Sequence, residues 1–206
     1  MAHSVLDLKW NETMINPRKY AMAAAALAVA ITLSACSTGG TGDTPAPAPS
    51  ASAEATFNDA DVTFAQMMIP HHEQAVEMSD MLLAKDGIDA QVVSLATQIK
   101  DAQQPEIEQL NEWLDAWGAD DSMGGMEHDM DGMMSDEDMQ TLEDASGDEA
   151  SKLFLEQMIK HHEGAVEMAQ AEINDGVNAD AIQMAETIVE TQTEEINVMQ
   201  NLLGSL

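Results

Sequence analysis

Residues 64–78 read Phe64-Ala-Gln-Met-Met-Ile-Pro-His-His-Glu-Gln-Ala-Val-Glu-Met78, and residues 154–168 read Phe154-Leu-Glu-Gln-Met-Ile-Lys-His-His-Glu-Gly-Ala-Val-Glu-Met168. Ten of these fifteen aligned positions are identical. Such agreement at a fixed offset of ninety residues indicates an internal repeat. The similarity continues downstream with one residue dropped, because Asp86-Gly87 aligns with Asp175-Gly176.

Each repeat has the hydrophobic pattern of a helical hairpin. In the first arm, apolar and histidine positions recur at spacings of three and four from Phe64 to Leu83, which is typical of a core-facing helix. The Asp-Gly pair then predicts a turn, because glycine suits the left-handed conformation beyond a helix end. A second apolar stripe follows from Val92 to Trp117. Pro70 and Pro105 lie inside these arms, and each is expected to kink or break its helix.

Two hairpins of this kind predict an all-α domain. Four amphipathic helices bury their apolar stripes most economically as an antiparallel four-helix bundle. The bundle domain is assigned to residues 58–206. It divides into repeat one (58–118), a crossover (119–140) and repeat two (141–206).

The residues before this domain have the pattern of an export signal and a tether. The basic pair Arg18-Lys19 precedes an apolar run, Ala21 to Leu33, that is too short to span a bilayer. Because Leu-Ser-Ala-Cys follows, the segment resembles a bacterial lipoprotein signal, which predicts removal of residues 1–35 and lipidation of Cys36. Residues 36–57, rich in Pro, Ala and Ser, predict a disordered tether at the cell envelope. An ordinary cleavable signal is the alternative.

Composition restricts the partners of the chain. Lys and Arg number 7 and Asp and Glu number 38, a net charge of −31. Nucleic acid is therefore not expected as a partner, because binding phosphates requires Lys or Arg. A single cysteine excludes an internal disulfide framework and a cysteine-ligated cluster. The 17 methionines serve either as core filler or as soft metal ligands.

A histidine pair lies in the first arm of each hairpin. Counting outward from the two turns predicts that each pair faces a glutamine of the second arm, with a glutamate about one turn away. A methionine precedes each pair by one helical turn. This layer predicts a metal site in which the glutamines and glutamates are outer partners, and the alternative is a hydrogen-bonded layer that only fixes helix register. Its residues are His71, His72, His161, His162, Met68, Met158, Gln103, Gln192, Glu106 and Glu195.

Methionine is concentrated in the crossover. The Gly, Asp and Ser residues there disfavour a buried helix over most of its length, so these thioethers are expected to lie largely in water. Thioethers combined with imidazole select Cu(I), or its mimic Ag(I), over hard cations. A flexible acidic linker enriched in methionine by chance is the alternative. The predicted ligands are Met123, Met126, His128, Met130, Met133 and Met134.

The doubled motif Phe-x-x-x-Met-Ile-x-His-His-x-x-Ala-Val-x-Met, joined by a Met-Gly-Gly-Met-x-His linker, resembles domain-of-unknown-function family three-zero-five over roughly residues 58–206. The resemblance implies a ferritin-like four-helix bundle. Through its copper-binding members it also implies secretion or lipid anchoring, and copper binding by Met and His. The residues to which it points are the two histidine pairs, Met68, Met158, and the methionines and His128 of the crossover.

These patterns favour a non-enzymatic, membrane-tethered protein that binds Cu(I) for sequestration, transfer or resistance. Neither a catalytic residue nor an organic cofactor is expected. The expected partners are the metal ion, the membrane through the lipid anchor, and an unidentified metallochaperone or efflux protein. Two alternatives stay open: a metal-dependent redox enzyme that uses the four-histidine layer, and a structural envelope module without metal. The absence of Glu-x-x-His, the spacing of di-iron bundles, argues against the enzyme.

Overall fold

The computed structural model describes residues 56–120 and 132–206. Within those two ranges the chain forms helices and no strand, which confirms the predicted all-α class. No helix among the described residues is long and apolar enough to cross a membrane. The predicted signal peptide, Cys36, residues 36–55 of the tether, and four predicted crossover ligands (Met123, Met126, His128 and Met130) lie outside the described residues. The helices are α1 (Asp59–Leu83), α2 (Ala90–Trp117), α3 (Asp136–Asp144), α4 (Gly147–Asp175) and α5 (Ala179–Leu203).

The four long helices form the two hairpins that the repeat predicts. α1 packs against α2, α4 packs against α5, and α1 and α4 pack against each other. α1 and α4 are antiparallel, because Asn58 at the start of α1 donates from Nδ2 to the carbonyl oxygen of Asp175 at the end of α4 (2.9 Å). The two copies of the motif therefore cross near their middles.

The two hairpin turns use glycine for different reasons. Gly87 has a φ of +76°, the left-handed conformation that the sequence predicts. Gly176 has a φ of −70° and is required on steric grounds instead. A Cβ atom on Gly176 would lie 2.3 Å from Oε1 of Glu172 and 2.7 Å from the backbone oxygen of that residue.

The two internal prolines do not end their helices. α1 continues through Pro70 and α2 continues through Pro105, so neither residue marks a break. The crossover, by contrast, contains a helix that its composition did not predict. Ser135 caps α3 in a reciprocal capping box with Asp138, and acidic residues fill the first turn, where the helix dipole favours them.

A layer of buried polar side chains divides the core into two apolar clusters. The first cluster joins the second half of α1 and the first half of α4 with the start of α2 and the end of α5. The second cluster joins the opposite halves of the same helices. Between them lie the residues of the predicted layer, all buried except for partly exposed Glu106 and Glu195: His71, His72, His161, His162, Gln103, Gln192, Glu106 and Glu195.

A carboxyl pair joins the start of α1 to the α4–α5 turn. Asp61 is fully buried and accepts hydrogen bonds from the backbone N–H groups of Asn58 (2.6 Å), Val177 (3.1 Å) and Asn178 (2.8 Å). Glu172 is 2 % exposed. Burial raises the pKa of Glu172 to about 8, and a hydrogen bond to Asp61 and the charge of Asp61 act in the same direction. Glu172 is therefore protonated at neutral pH.

Replacing Glu172 by Gln is expected to remove a pH dependence of stability. A carboxyl that ionises near pH 4.5 when unfolded and near pH 8 when folded stabilises the fold fully at low pH. This contribution is lost as the pH rises, by about 1.4 kcal/mol per unit. The free energy of unfolding of Glu172→Gln, minus that of the wild type, should therefore increase between pH 5 and pH 8 in chemical denaturation.

The control is Glu190→Gln, an exposed glutamate of α5, for which this difference should stay flat across the same pH range. A flat difference for Glu172→Gln as well would show that Glu172 ionises normally in the folded protein.

Candidate metal centre

Four buried histidines meet where α1 crosses α4. The ring centroids of His71 and His161 lie 3.7 Å apart, with 39° between the ring planes. The rings of His161 and its neighbour His162 have centroids 6.3 Å apart. All four imidazole residues have 0 % exposure. The structure therefore brings together the histidine layer that the two motifs predict, and His71 contacts His161 across the two repeats.

Each outer histidine binds a glutamate of the second arm of its own hairpin. Nε2 of His72 lies 2.8 Å from Oε2 of Glu106, and Nε2 of His162 lies 2.7 Å from Oε2 of Glu195. The two glutamate side chains are 21 % and 22 % exposed. A row thus runs from Glu106 through the four histidines to Glu195, and we call it the histidine row.

The glutamates replace the glutamines as the partners of the histidines. The sequence predicts that the glutamines face the histidine pairs, with the glutamates about one turn away, and the structure adds that the hydrogen bonds to the histidines come from the glutamates. The long glutamate side chain reaches across that turn, and a carboxylate is the stronger acceptor. Gln103 and Gln192 are nevertheless buried at this level, each 3 % exposed.

Several buried polar atoms of the row have no hydrogen-bond partner. They are Nδ1 of His72, Nδ1 of His162, both amide atoms of Gln103 and Oε1 of Gln192. Nε2 of each outer histidine faces a carboxylate, so in a neutral ring the hydrogen lies on Nε2 and the lone pair lies on Nδ1. An unsatisfied buried polar atom costs about 1–3 kcal/mol. The row therefore contains buried nitrogen and oxygen atoms that have no hydrogen-bond partner.

Burial at the centre of the row favours the neutral form of His161. Burial lowers the pKa of His161 well below its usual value, and charge on His71, His162 or His72 would lower it further. Neutral imidazole is the form that ligates metal ions. His161 is thus in the form that can ligate a cation.

The two predicted thioether ligands lie on opposite sides of the row. Met68 and Met158 are both fully buried. Met68 belongs to the second apolar cluster and Met158 to the first, because α1 and α4 are antiparallel. Each thioether lies one helical turn from the histidine pair of its own helix.

The four histidines do not form a ready-made metal cage. Within residues 56–120 and 132–206, no group of three or more His, Cys, Asp or Glu side chains is arranged to hold a metal ion.

The end of the crossover is fixed beside the row. Gln74 donates from Nε2 to the carbonyl oxygen of Met134 (2.9 Å), and the N–H of Met134 donates to Oε1 of Gln74 (2.7 Å). Gly132 has a φ of +90° and lies against α4. A Cβ atom on Gly132 would lie 2.9 Å from Cα of Gly164 and 3.0 Å from the carbonyl oxygen of His161.

One predicted crossover ligand is not in water. Met134 is 6 % exposed and packs in the first apolar cluster, so the expectation of a solvated thioether is wrong at this position. The physical reason is the pair of hydrogen bonds from Gln74, which draws the backbone of Met134 onto α1. Met133 is half-buried.

Sequence reasoning missed Gln74 and the carboxyl pair. A signal for Gln74 exists, because Gln74 and Gly164 occupy the same position of the two motifs and differ. Asp61 and Glu172 carry no such signal, because acidic residues are frequent throughout this chain.

Residues 61–203 match the family described as Domain of unknown function (DUF305). A comparison with curated proteins gave no match. Among solved structures, a DUF305 protein of Streptomyces coelicolor, classed as secreted, is 33% identical, with a TM-score of 0.67. The match covers 71% of this chain and 91% of that one. A DUF305 fragment from Deinococcus radiodurans is 30% identical, with a TM-score of 0.66, over 72% of this chain and 98% of the fragment.

The chain is also similar to CopM in its Cu(I)-bound form. The identity is 26% and the TM-score 0.61, over 70% of this chain and 96% of CopM. Structures of CopM in Cu(II)-bound, Ag-bound and apo forms match as well.

Replacing Gly132 by Ala tests how tightly the crossover is seated. The variant has to place a side chain at positive φ and also against the α4 backbone, so a loss of roughly 2–4 kcal/mol in unfolding free energy is expected. Gly118→Ala is the matched control, because Gly118 has a similar φ of +67° but no atom within 4 Å of its Cβ position. It should lose only about 1–2 kcal/mol in the same denaturation experiment. Equal losses would contradict the close packing at Gly132.

Proposed function

The chain belongs to the DUF305 family, and we propose that it is an extracytoplasmic, non-catalytic protein whose cargo is Cu(I). It would bind the ion at the histidine row for sequestration or transfer. The observation that carries this proposal is the pair of buried Nδ1 atoms, on His72 and His162, that have no hydrogen-bond partner. A bound cation would satisfy them.

The donor set favours a soft ion. Beside the imidazoles lie the buried thioethers of Met68 and Met158, one on each side of the row. Neutral thioether and imidazole ligands suit Cu(I), which accepts low coordination numbers, and Ag(I) as its mimic. The structures of CopM with bound Cu(I), Cu(II) and Ag support copper or its mimic as the ion.

The two glutamates give the row its orientation. A carboxylate on the far nitrogen of a metal-binding histidine fixes the ring and increases the basicity of the ligating nitrogen. Glu106 and Glu195 occupy that place for His72 and His162. Their partial exposure also makes them the points where a cation first meets the row, and a net charge of −31 attracts cations to the surface.

The four long helices in this proposal form an antiparallel, ferritin-like four-helix bundle. The two hairpins and the antiparallel contact of α1 with α4 support that arrangement. The bundle provides two apolar clusters that exclude water from the row on both sides. A protein that hands over its ion also needs a recipient, which would be a metallochaperone or an efflux protein.

Replacing His72 and His162 together by Gln is expected to weaken Cu(I) binding by about a hundredfold or more, because both proposed Nδ1 ligands are lost. The measurement is competition of the purified domain against a chromogenic Cu(I) chelator. Replacing Glu106 and Glu195 by Ala should weaken binding by about tenfold, since the imidazoles remain but lose their orienting partners.

The matched control for both pairs is Glu73→Gln with Glu163→Gln, which removes two exposed glutamates of the same motifs. Its affinity should equal that of the wild type. A wild-type affinity no better than millimolar, or a histidine variant as tight as the wild type, would refute the proposal.

The anchor is part of the same proposal. Cys36 is the only cysteine, it follows Leu-Ser-Ala, and the secreted class of the Streptomyces relative is in keeping with export. Expressed in a bacterium that processes lipoproteins, the full chain should incorporate a labelled fatty acid, and Cys36→Ser should not. Ser37→Ala is the control and should be labelled like the wild type. A wild-type chain that takes up no labelled fatty acid would exclude the lipid anchor.

A further inference from the structure

The crossover is attached to α1 at both ends of its undescribed part. Asp120 is the last described residue before it, and its carbonyl oxygen accepts a hydrogen bond from Nε2 of Gln66 (2.7 Å). Met134, near the other end, is held by Gln74. Gln66 and Gln74 lie about 12 Å apart along the helix axis. His71 and His72 fall between them in α1.

Gln74 fixes the backbone geometry of Met134. Its amide both donates to and accepts from Met134, so a change in backbone direction at that residue would break at least one bond. Gly132, two residues earlier, is held at the His161 carbonyl by a contact that has no room for a Cβ. Met133 therefore lies between two fixed backbone positions, one on each helix that carries a histidine pair.

A comparison of the two repeats shows that the contacts of residues 132–134 with α1 and α4 depend on positions at which the repeats differ. Gln74 and Gly164 are equivalent positions of the two motifs, and most of the surrounding positions are identical. At the crossing of α1 and α4, these two positions contact the end of the crossover in different ways. Gln74 provides the amide that binds Met134, and Gly164 provides the space into which Gly132 packs.

The thioethers of Met133 and Met134 differ in their surroundings. Met134 is buried in the first apolar cluster, to which Met158 also belongs. Met133 is only half-buried. Part of the surface of Met133 therefore stays accessible.

We propose that Gln74 is a positioning residue for the metal site and that it holds Met133 beside the histidine row, where this thioether completes the donor set for Cu(I). The inference rests on the proposed function and adds to it a ligand from outside the repeats. The site is thus composite: imidazoles come from α1 and α4, and one sulfur comes from the end of the crossover. Gln74 contacts no ion itself and acts through the backbone of Met134.

The test compares two variants with two controls. Gln74→Ala removes both hydrogen bonds to the backbone of Met134, and Met133→Leu removes the sulfur atom of the proposed ligand. Gln157→Ala is the control for the first, because Gln157 also binds the crossover backbone, donating from Nε2 to the carbonyl oxygen of Asp138 (2.9 Å), but within α3. Met139→Leu is the control for the second, because Met139 is another partly buried methionine of the crossover.

Cu(I) competition and X-ray absorption of the Cu(I)-loaded protein are the two measurements. Gln74→Ala and Met133→Leu should each weaken binding by about tenfold and lower the number of sulfur scatterers around copper by one. Both controls should keep the affinity and the sulfur number of the wild type. Gln74→Glu retains an acceptor for the N–H of Met134 but loses the donor, so it should restore part of the affinity.

The outcomes separate this inference from the proposed function. A wild type that fails to bind Cu(I) overturns the proposed function and the inference with it. If the wild type binds Cu(I) and either Gln74→Ala or Met133→Leu keeps its affinity and sulfur number, the composite site is wrong while the histidine row stands. If Gln157→Ala weakens binding as much as Gln74→Ala does, the effect is general loosening of the crossover, and the positioning role of Gln74 is overturned.

Discussion

The contact of His71 with His161 at the antiparallel crossing of α1 and α4 is the constraint on which the other features depend. It places four imidazoles in the middle of an apolar core, where unpaired polar groups are costly. Glu106 on α2 and Glu195 on α5 offset part of that cost by pairing with His72 and His162. The two apolar clusters keep water away on either side. A layer of this kind fixes the register of all four long helices, and it leaves nitrogen lone pairs available to a ligand.

The duplicated fold is asymmetric where it carries special contacts. At one end Asp61 and Glu172 join α1 to the α4–α5 turn. The equivalent positions at the other end are Ser151, whose Oγ accepts the N–H of Asp89 (3.2 Å), and Leu82. One end of the domain therefore contains a buried, protonated carboxyl group, and the equivalent positions at the other end do not. The difference between Gln74 and Gly164 is of the same type, because only one crossover exists and it contacts the two motifs differently.

Much of the fold and part of the candidate site could be predicted, because helical periodicity and a repeat are local properties of a sequence. The turn at Gly87, the burial of all four histidines and the level of Gln103 and Gln192 follow from counting residues along helices. The direct partners of the histidines could not be obtained in this way, since side-chain length decides that Glu106 reaches His72. The burial of Met134 was likewise missed, because it depends on an amide sixty residues away.

The sequence by itself determined the helices, their pairing into hairpins, and the presence of two histidine pairs with a methionine one turn before each. These features depend on residues close together in the chain. Only the tertiary structure decided that α1 and α4 cross at the histidines, that Glu106 and Glu195 hold the outer rings, and that Glu172 keeps its proton. It also decided that the end of the crossover packs against α1 and α4. Each of these features is a contact between distant segments, and its geometry and burial exist only after the helices have packed.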